Sequence, residues 1–107
     1  MAERIGIFGG SFNPVHTGHL VMAQDAADHY GLPRVIWVPA AQPPHKPALA
    51  PAADRLEMLR LAVQGDARFE VSEEEMSRGG VSYTVDTLKR LQERYPAAQL
   101  HLIIGGD

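Results

Sequence analysis

Two short stretches of this 107-residue chain carry no polar side chain at all: Ile5-Gly6-Ile7-Phe8 and Val35-Ile36-Trp37-Val38. A strand with one face in water alternates apolar and polar residues. A run without alternation is buried on both faces, the condition inside a parallel sheet with helices on both sides. Between the runs, Leu20, Ala23, Ala27 and Tyr30 recur at three- and four-residue spacing, which predicts a helix over 19–30 that stops at Gly31. Strands are predicted over 4–8 and over 34–38, the second bounded by Pro33 and Pro39. Strand, helix, strand makes a βαβ unit, and its crossover is expected to be right-handed.

The alternation continues. The segment 39–53 holds five of the chain's eight prolines (Pro39, Pro43, Pro44, Pro47, Pro51) and reads as an extended loop. A second helix is predicted over 54–64, with Leu56, Leu59, Leu61 and Val63 on its buried side and Gly65 as its stop. A short strand follows over 68–71, then Glu73-Glu74-Glu75, read as a solvated acidic edge with a metal site as the weaker alternative. A third helix over 84–95 buries Leu88 and Leu91 and ends at Pro96. A fourth strand over 99–104 runs into Gly105-Gly106-Asp107. The βαβαβαβ pattern predicts a doubly wound α/β sheet, with ligands at the carboxyl ends of the strands where the strand order reverses.

Composition excludes several classes of function. There is no cysteine, so disulfides, zinc–thiolate sites and thiol catalysis are out. A formal charge of −3 without clustered Lys and Arg argues against a nucleic-acid surface. No apolar run is long enough for a membrane span and no signal-like segment opens the chain, which makes a cytoplasmic location the expectation. The length suits one small domain. Any phosphorylated ligand must therefore be caught by a local site.

That site is sought in Gly9-Gly10-Ser11-Phe12-Asn13-Pro14-Val15-His16-Thr17-Gly18-His19-Leu20, directly behind the first strand. Gly9 and Gly10 would allow a sharp turn and a close backbone approach. The following helix aims free N–H groups and the positive end of its dipole above the strand. His16 and His19, three residues apart across the junction, add two imidazoles to one anion site. A lone histidine at a helix start is more often a cap than a ligand. The glycine-rich turn behind a strand shifts the balance to phosphate binding. A zinc pair is the weaker alternative, since the nearest further donor, His45, lies in a loop. His29, His101 and Trp37 are assigned to structure.

This His-x-Gly-His pattern behind a Gly-Gly-Ser-Phe-Asn-Pro turn resembles the nucleotidyltransferase superfamily. With Pro43-Pro44-His45-Lys46 after the second strand and Ser82-Tyr83-Thr84-Val85-Asp86-Thr87-Leu88 at the third helix, it looks like the bacterial nicotinate mononucleotide adenylyltransferases. The resemblance covers residues 4–107 and about the first half of that family's usual length.

The resemblance implies a Rossmann-like sheet of order 3-2-1-4 in a single, truncated domain, without the family's C-terminal strand and helices. It also implies transfer of an adenylyl group from ATP, accompanied by Mg²⁺, to nicotinate mononucleotide in NAD biosynthesis. His16 and His19 are then the catalytic pair, with His19 the principal member. Gly9, Gly10, Ser11, Phe12, His45, Lys46 and Asp107 would bind nucleotide and phosphate, and Tyr83 and Thr84 the nicotinate. Asn13 stands where many relatives carry Asp, and either residue suits a turn. Two other readings stay open. One is a phosphopantetheine adenylyltransferase-like enzyme. The other is a non-catalytic nucleotide-binding or assembly fragment, completing its burial as a homo-oligomer.

Overall fold

The structure is a computed structural model and describes residues 3–41, 50–78 and 84–104. The elements in chain order are β1 (Arg4–Gly10), α1 (Thr17–Tyr30), β2 (Arg34–Pro39), α2 (Ala52–Val63), β3 (Phe69–Val71), α3 (Glu74–Arg78), α4 (Thr84–Arg94) and β4 (Gln99–Ile103). The strands form one parallel sheet in the order β3-β2-β1-β4. The expected 3-2-1-4 topology is the one observed.

The two fully apolar runs occupy the middle of this sheet, with Ile5 opposite Arg34 and Phe8 opposite Trp37 in register. Their side chains divide between two cores. Phe8, Val35 and Trp37 meet Ala23 and Ala27 of α1, Leu59 and Val63 of α2, and Phe69. Ile5, Ile7, Ile36 and Val38 pack with Leu91 on the opposite face, with Leu88 and Tyr95 at its margin. Trp37 is completely buried. Each such side chain contributes about 1.5–3 kcal/mol relative to exposure. Helices on both faces of one parallel sheet give the doubly wound arrangement that the apolar runs demand.

Gly6 stands where β1 faces Leu32. A Cβ there would lie 2.9 Å from Leu32 Cδ1 and 3.3 Å from both Ile103 Cδ1 and Val35 Cγ2. At the far end of α1, Gly31 takes the left-handed conformation (φ 62°) and its amide donates to Ala27 O, the expected glycine stop.

Four readings from sequence need correction. Leu61 is 61% exposed, because it lies two residues, about 200° of helix, beyond Leu59. Arg55 fills the buried stripe with Leu59 and Val63 instead. Tyr30 is exposed too, its carbonyl accepting from Arg4 Nη1. The acidic triplet is no uniform solvated edge. Glu73 pairs with Arg60 and Glu74 with Arg90, while Glu75 is buried in α3 and accepts from Thr87 Oγ1 at 2.5 Å. Finally, Gly9 and Gly10 do not make the turn; they extend β1, paired with Val38 and Pro39.

At the amino end of the sheet, Arg34 joins β2, β3 and the end of α4. It holds Glu70 through Nε–Oε2 (2.5 Å) and Nη2–Oε1 (2.9 Å), donates to Tyr95 Oη at 3.3 Å, and lies 4.8 Å from the Tyr95 ring centroid. The hydrogen bonds from Arg34 hold the Glu70 carboxyl below its ordinary value, and those from Arg68 do the same for Asp66. A depressed carboxyl stabilises the fold above the ordinary carboxylate range and loses that contribution as pH falls through its folded value. Acid titration followed by circular dichroism should therefore show stability falling below about pH 4, with a shallower acid limb in Glu70→Gln. An unchanged limb contradicts this. Separately, Gly6→Ala should cost about 1–3 kcal/mol by overpacking, read as a lower urea midpoint.

Candidate functional site

In a sheet whose crossovers are helical, each helix following a strand starts at the carboxyl edge. The N-termini of α1, α2 and α4 consequently share that edge with the end of β1. The strand order reverses between β1 and β4, so the switch-point crevice opens beside Gly9 and Gly10. A Cβ on Gly9 would come no closer than 4.0 Å to Val38 O. The space above Gly9 is therefore open, whereas a Cβ on Gly10 would meet the Phe12 ring at 3.4 Å.

The chain turns at Phe12, which has φ 46°. A non-glycine residue in this region is strained by about 1–2 kcal/mol. The Phe12 ring supplies the compensation: it is buried edge-on to Phe8 (5.3 Å between centroids) and to His19 (5.1 Å), and tilted against Trp37 (5.3 Å). Asn13 Oδ1 accepts from the Ala50 amide at 3.0 Å, an acceptor role that an aspartate would fill equally.

His16 and His19 come together as the spacing suggested, in a specific way. His16 is the N-cap of α1, its Nδ1 accepting from the Gly18 amide at 3.1 Å. His19 Nδ1 accepts in return from the His16 amide at 3.0 Å. This is a capping box with imidazoles in place of the usual Ser and Glu. The rings stack with centroids 3.8 Å apart and 29° between planes. His16 is exposed; His19 is only 5% exposed, beneath Phe12 and beside Phe8. An Nδ1 that accepts from an amide carries no proton, so in both neutral rings the proton is on Nε2. The cap reading and the ligand reading thus use different nitrogens.

Gly18 is the third fixed position of the motif for a steric reason. A Cβ would sit 2.9 Å from His16 Cε1 and 3.0 Å from its Nδ1.

Sequence reasoning missed Arg55. Its side chain is 1% exposed and donates to four backbone carbonyls: Ala50 (2.9 Å), Ser11 (2.9 Å), Ala40 (2.7 Å) and Ala41 (3.0 Å). Burial lowers its pKa from the ordinary arginine value. One guanidinium thereby ties the turn after β1, the exit of β2 and the approach to α2. The available signal was a cation at i−4 from Leu59, on the helix face the pattern marks as buried.

Thr84 is exposed and is the first residue of α4. His45, Lys46, Tyr83 and Asp107 lie outside the described residues. Among the described residues, no three His, Cys, Asp or Glu side chains gather as a metal site, and no helix is long and apolar enough to cross a membrane.

The fold is a parallel doubly wound α/β domain with a histidine-capped helix at its switch point. The chain belongs to the cytidylyltransferase-like family, which it matches over residues 7–107. It is 55% identical to the Gloeobacter violaceus protein named "Probable nicotinate-nucleotide adenylyltransferase", over 100% of this chain and 53% of that one. The Thermus thermophilus protein of the same name is 52% identical over 97% of this chain and 56% of its own length. The chain spans about half the length of the curated relatives it matches.

Among solved structures, Plasmodium falciparum nicotinic acid mononucleotide adenylyltransferase complexed with APC superposes with a TM-score of 0.77 at 19% identity. The match covers 94% of this chain and 49% of that one, and shows the shared fold. The same enzyme complexed with NaAD gives 0.76 at 18% identity.

Gly18→Ala should displace the His16 ring and cost about 0.5–2 kcal/mol of capping. In proton NMR the mutual ring-current shifts of His16 and His19 should disappear while far-UV circular dichroism is retained. Wild-type imidazole shifts in the variant would refute the steric account of this glycine.

Proposed function

We propose that this chain carries the nucleotide-binding portion of an adenylyltransferase that joins nicotinate mononucleotide to the AMP moiety of ATP, in the cytoplasm. The observation that carries the reading is the stacked His16–His19 pair at the start of α1, above the switch point. The 52–55% identity to proteins named for this reaction supports it.

In the proposed reaction a phosphate oxygen of the mononucleotide attacks the α-phosphorus of ATP in line. A P–O bond forms, the α–β bridge bond breaks, and pyrophosphate leaves with that electron pair. The attacking group is already an anion, so the protein's work is alignment and charge neutralisation. Nε2–H groups of His16 and His19 donate to the phosphates. Backbone groups of Gly9, Gly10, Ser11 and Phe12 border the nucleotide, and the missing Cβ of Gly9 lets it approach closely. His45 and Lys46 add positive charge for the phosphates, and Asp107 contacts the nucleotide. Tyr83 and Thr84 receive the nicotinate, whose carboxylate suits the N-terminus of α4. Magnesium arrives with ATP, held chiefly through phosphate oxygens and water.

The alternative reading is nucleotide binding without turnover. One assay separates the two: dinucleotide formation from nicotinate mononucleotide and Mg-ATP, alongside ATP titration calorimetry. The wild-type chain should form product. His19→Ala should lose at least about 100-fold in turnover, the usual scale for an oriented acid–base or electrostatic group. His19→Asn keeps a cap acceptor, so it should lose turnover with a smaller drop in stability. Binding without product selects the second reading. Full turnover in a folded His19→Asn variant removes the imidazole from the mechanism.

A further inference from the structure

A buried arginine usually meets a carboxylate. Arg55 does not: among the described residues its partners are backbone carbonyls, those of Ala50, Ser11, Ala40 and Ala41. Arg34 at the other end of the sheet, by contrast, is neutralised by Glu70 and Glu3. Among the described residues no carboxylate pairs with the Arg55 guanidinium, so its positive charge stands beneath the carboxyl edge, at the turn that bears Phe12 and the histidine pair.

Its hydrogen bonds also set the polarity of that edge. The Ser11–Phe12 and Ala40–Ala41 peptides are trans, and a trans peptide points its C=O and N–H in opposite directions. With Ser11 O and Ala40 O drawn to the guanidinium, the Phe12 and Ala41 amides face away from it. Carbonyl oxygens that would repel an anion are thus sequestered, and the Phe12 and Ala41 N–H groups are left on the side away from the guanidinium. The Ala40 amide is fixed as well, donating to Gly10 O at 2.9 Å.

We propose that Arg55 is a positioning residue for anion binding: it holds the carbonyls of Ser11, Ala40 and Ala41 inward and so turns the phosphate-facing edge into an anion acceptor. The ligand class is a polyphosphate, and the proposal rests on the phosphate-site reading given above. Arg55 touches no substrate; it acts through the backbone of two loops that chain connectivity alone leaves independent.

The test uses the 107-residue chain and its Arg55→Lys, Arg55→Met and Arg55→Ala variants, with inorganic tripolyphosphate and ATP as probes. Arg55→Met should weaken both probes by about tenfold or more, the scale of losing charged hydrogen bonds. Arg55→Lys retains the charge but not the fork, and should recover only part of the loss. In ¹⁵N-correlated spectra the Phe12 and Ala41 amide signals should move in both variants. Millimolar guanidinium should restore them, and tripolyphosphate affinity, in Arg55→Ala.

A folded Arg55→Met with wild-type affinity and unmoved Phe12 and Ala41 amides overturns the proposal. Unfolding of all three variants without guanidinium rescue also overturns it, in favour of a purely structural role. If the wild-type chain binds neither probe, the phosphate-site reading falls, and the amide signals alone then decide whether Arg55 orients those peptides.

Discussion

Strand β1 is hydrogen-bonded along both edges, to β2 and to β4, and packed on both faces. A strand held on four sides has no freedom at its end, and everything at the candidate site is attached to that end. Gly9 and Gly10 continue the ladder, so the backbone reaches the switch point flat and without side chains. The turn is then made by one residue, Phe12, whose strained backbone is held by burial of its ring against Phe8 and Trp37. The position of α1, and with it of both histidines, follows from that turn.

The histidine pair shows how one side chain can cap a helix through one ring nitrogen and keep the other for a different partner. Each Nδ1 satisfies a backbone amide that the helix start would otherwise leave without an acceptor. That bond fixes the tautomer and orients the ring, so Nε2 carries the proton before any ligand arrives. Stacking of the two rings gives the pair one orientation in place of two. Preorganisation of donors in this way is what an electrostatic role in phosphate chemistry requires. Gly18 belongs to the same device, since any larger residue would occupy the space of the His16 ring.

The two ends of the sheet treat positive charge differently. At the amino end, Arg34 is matched by carboxylates and stacked on Tyr95, an arrangement that holds elements together and changes with acid. At the carboxyl end, Arg55 is buried among carbonyls and keeps its charge unmatched by any carboxylate among the described residues. A buried cation is costly unless every donor finds a partner. The carbonyls of loops that must in any case leave the sheet here supply those partners.

The sequence by itself determined the sheet. Apolar runs without alternation, interleaved with helical periodicity, admit few arrangements, and the parallel order 3-2-1-4 agrees with the expectation drawn by resemblance. The His-x-Gly-His spacing likewise placed two imidazoles at one helix start, because three residues across a loop-to-helix junction bring side chains to one side. Tertiary structure decided the rest. Periodicity could not tell Leu61 from Arg55, since burial depends on which arc of α2 meets the sheet and not on hydrophobicity alone. Composition made Glu73-Glu74-Glu75 look uniform, yet Glu75 is buried because Thr87, twelve residues on, supplies its hydrogen bond. Glycine content pointed to Gly9–Gly10 as the turn, while ring packing at Phe12 fixed it two residues later. The bonds of Arg55 reach up to 44 residues along the chain, to Ser11. No local pattern encodes a contact of that span; it exists only where β1, β2 and α2 have already met.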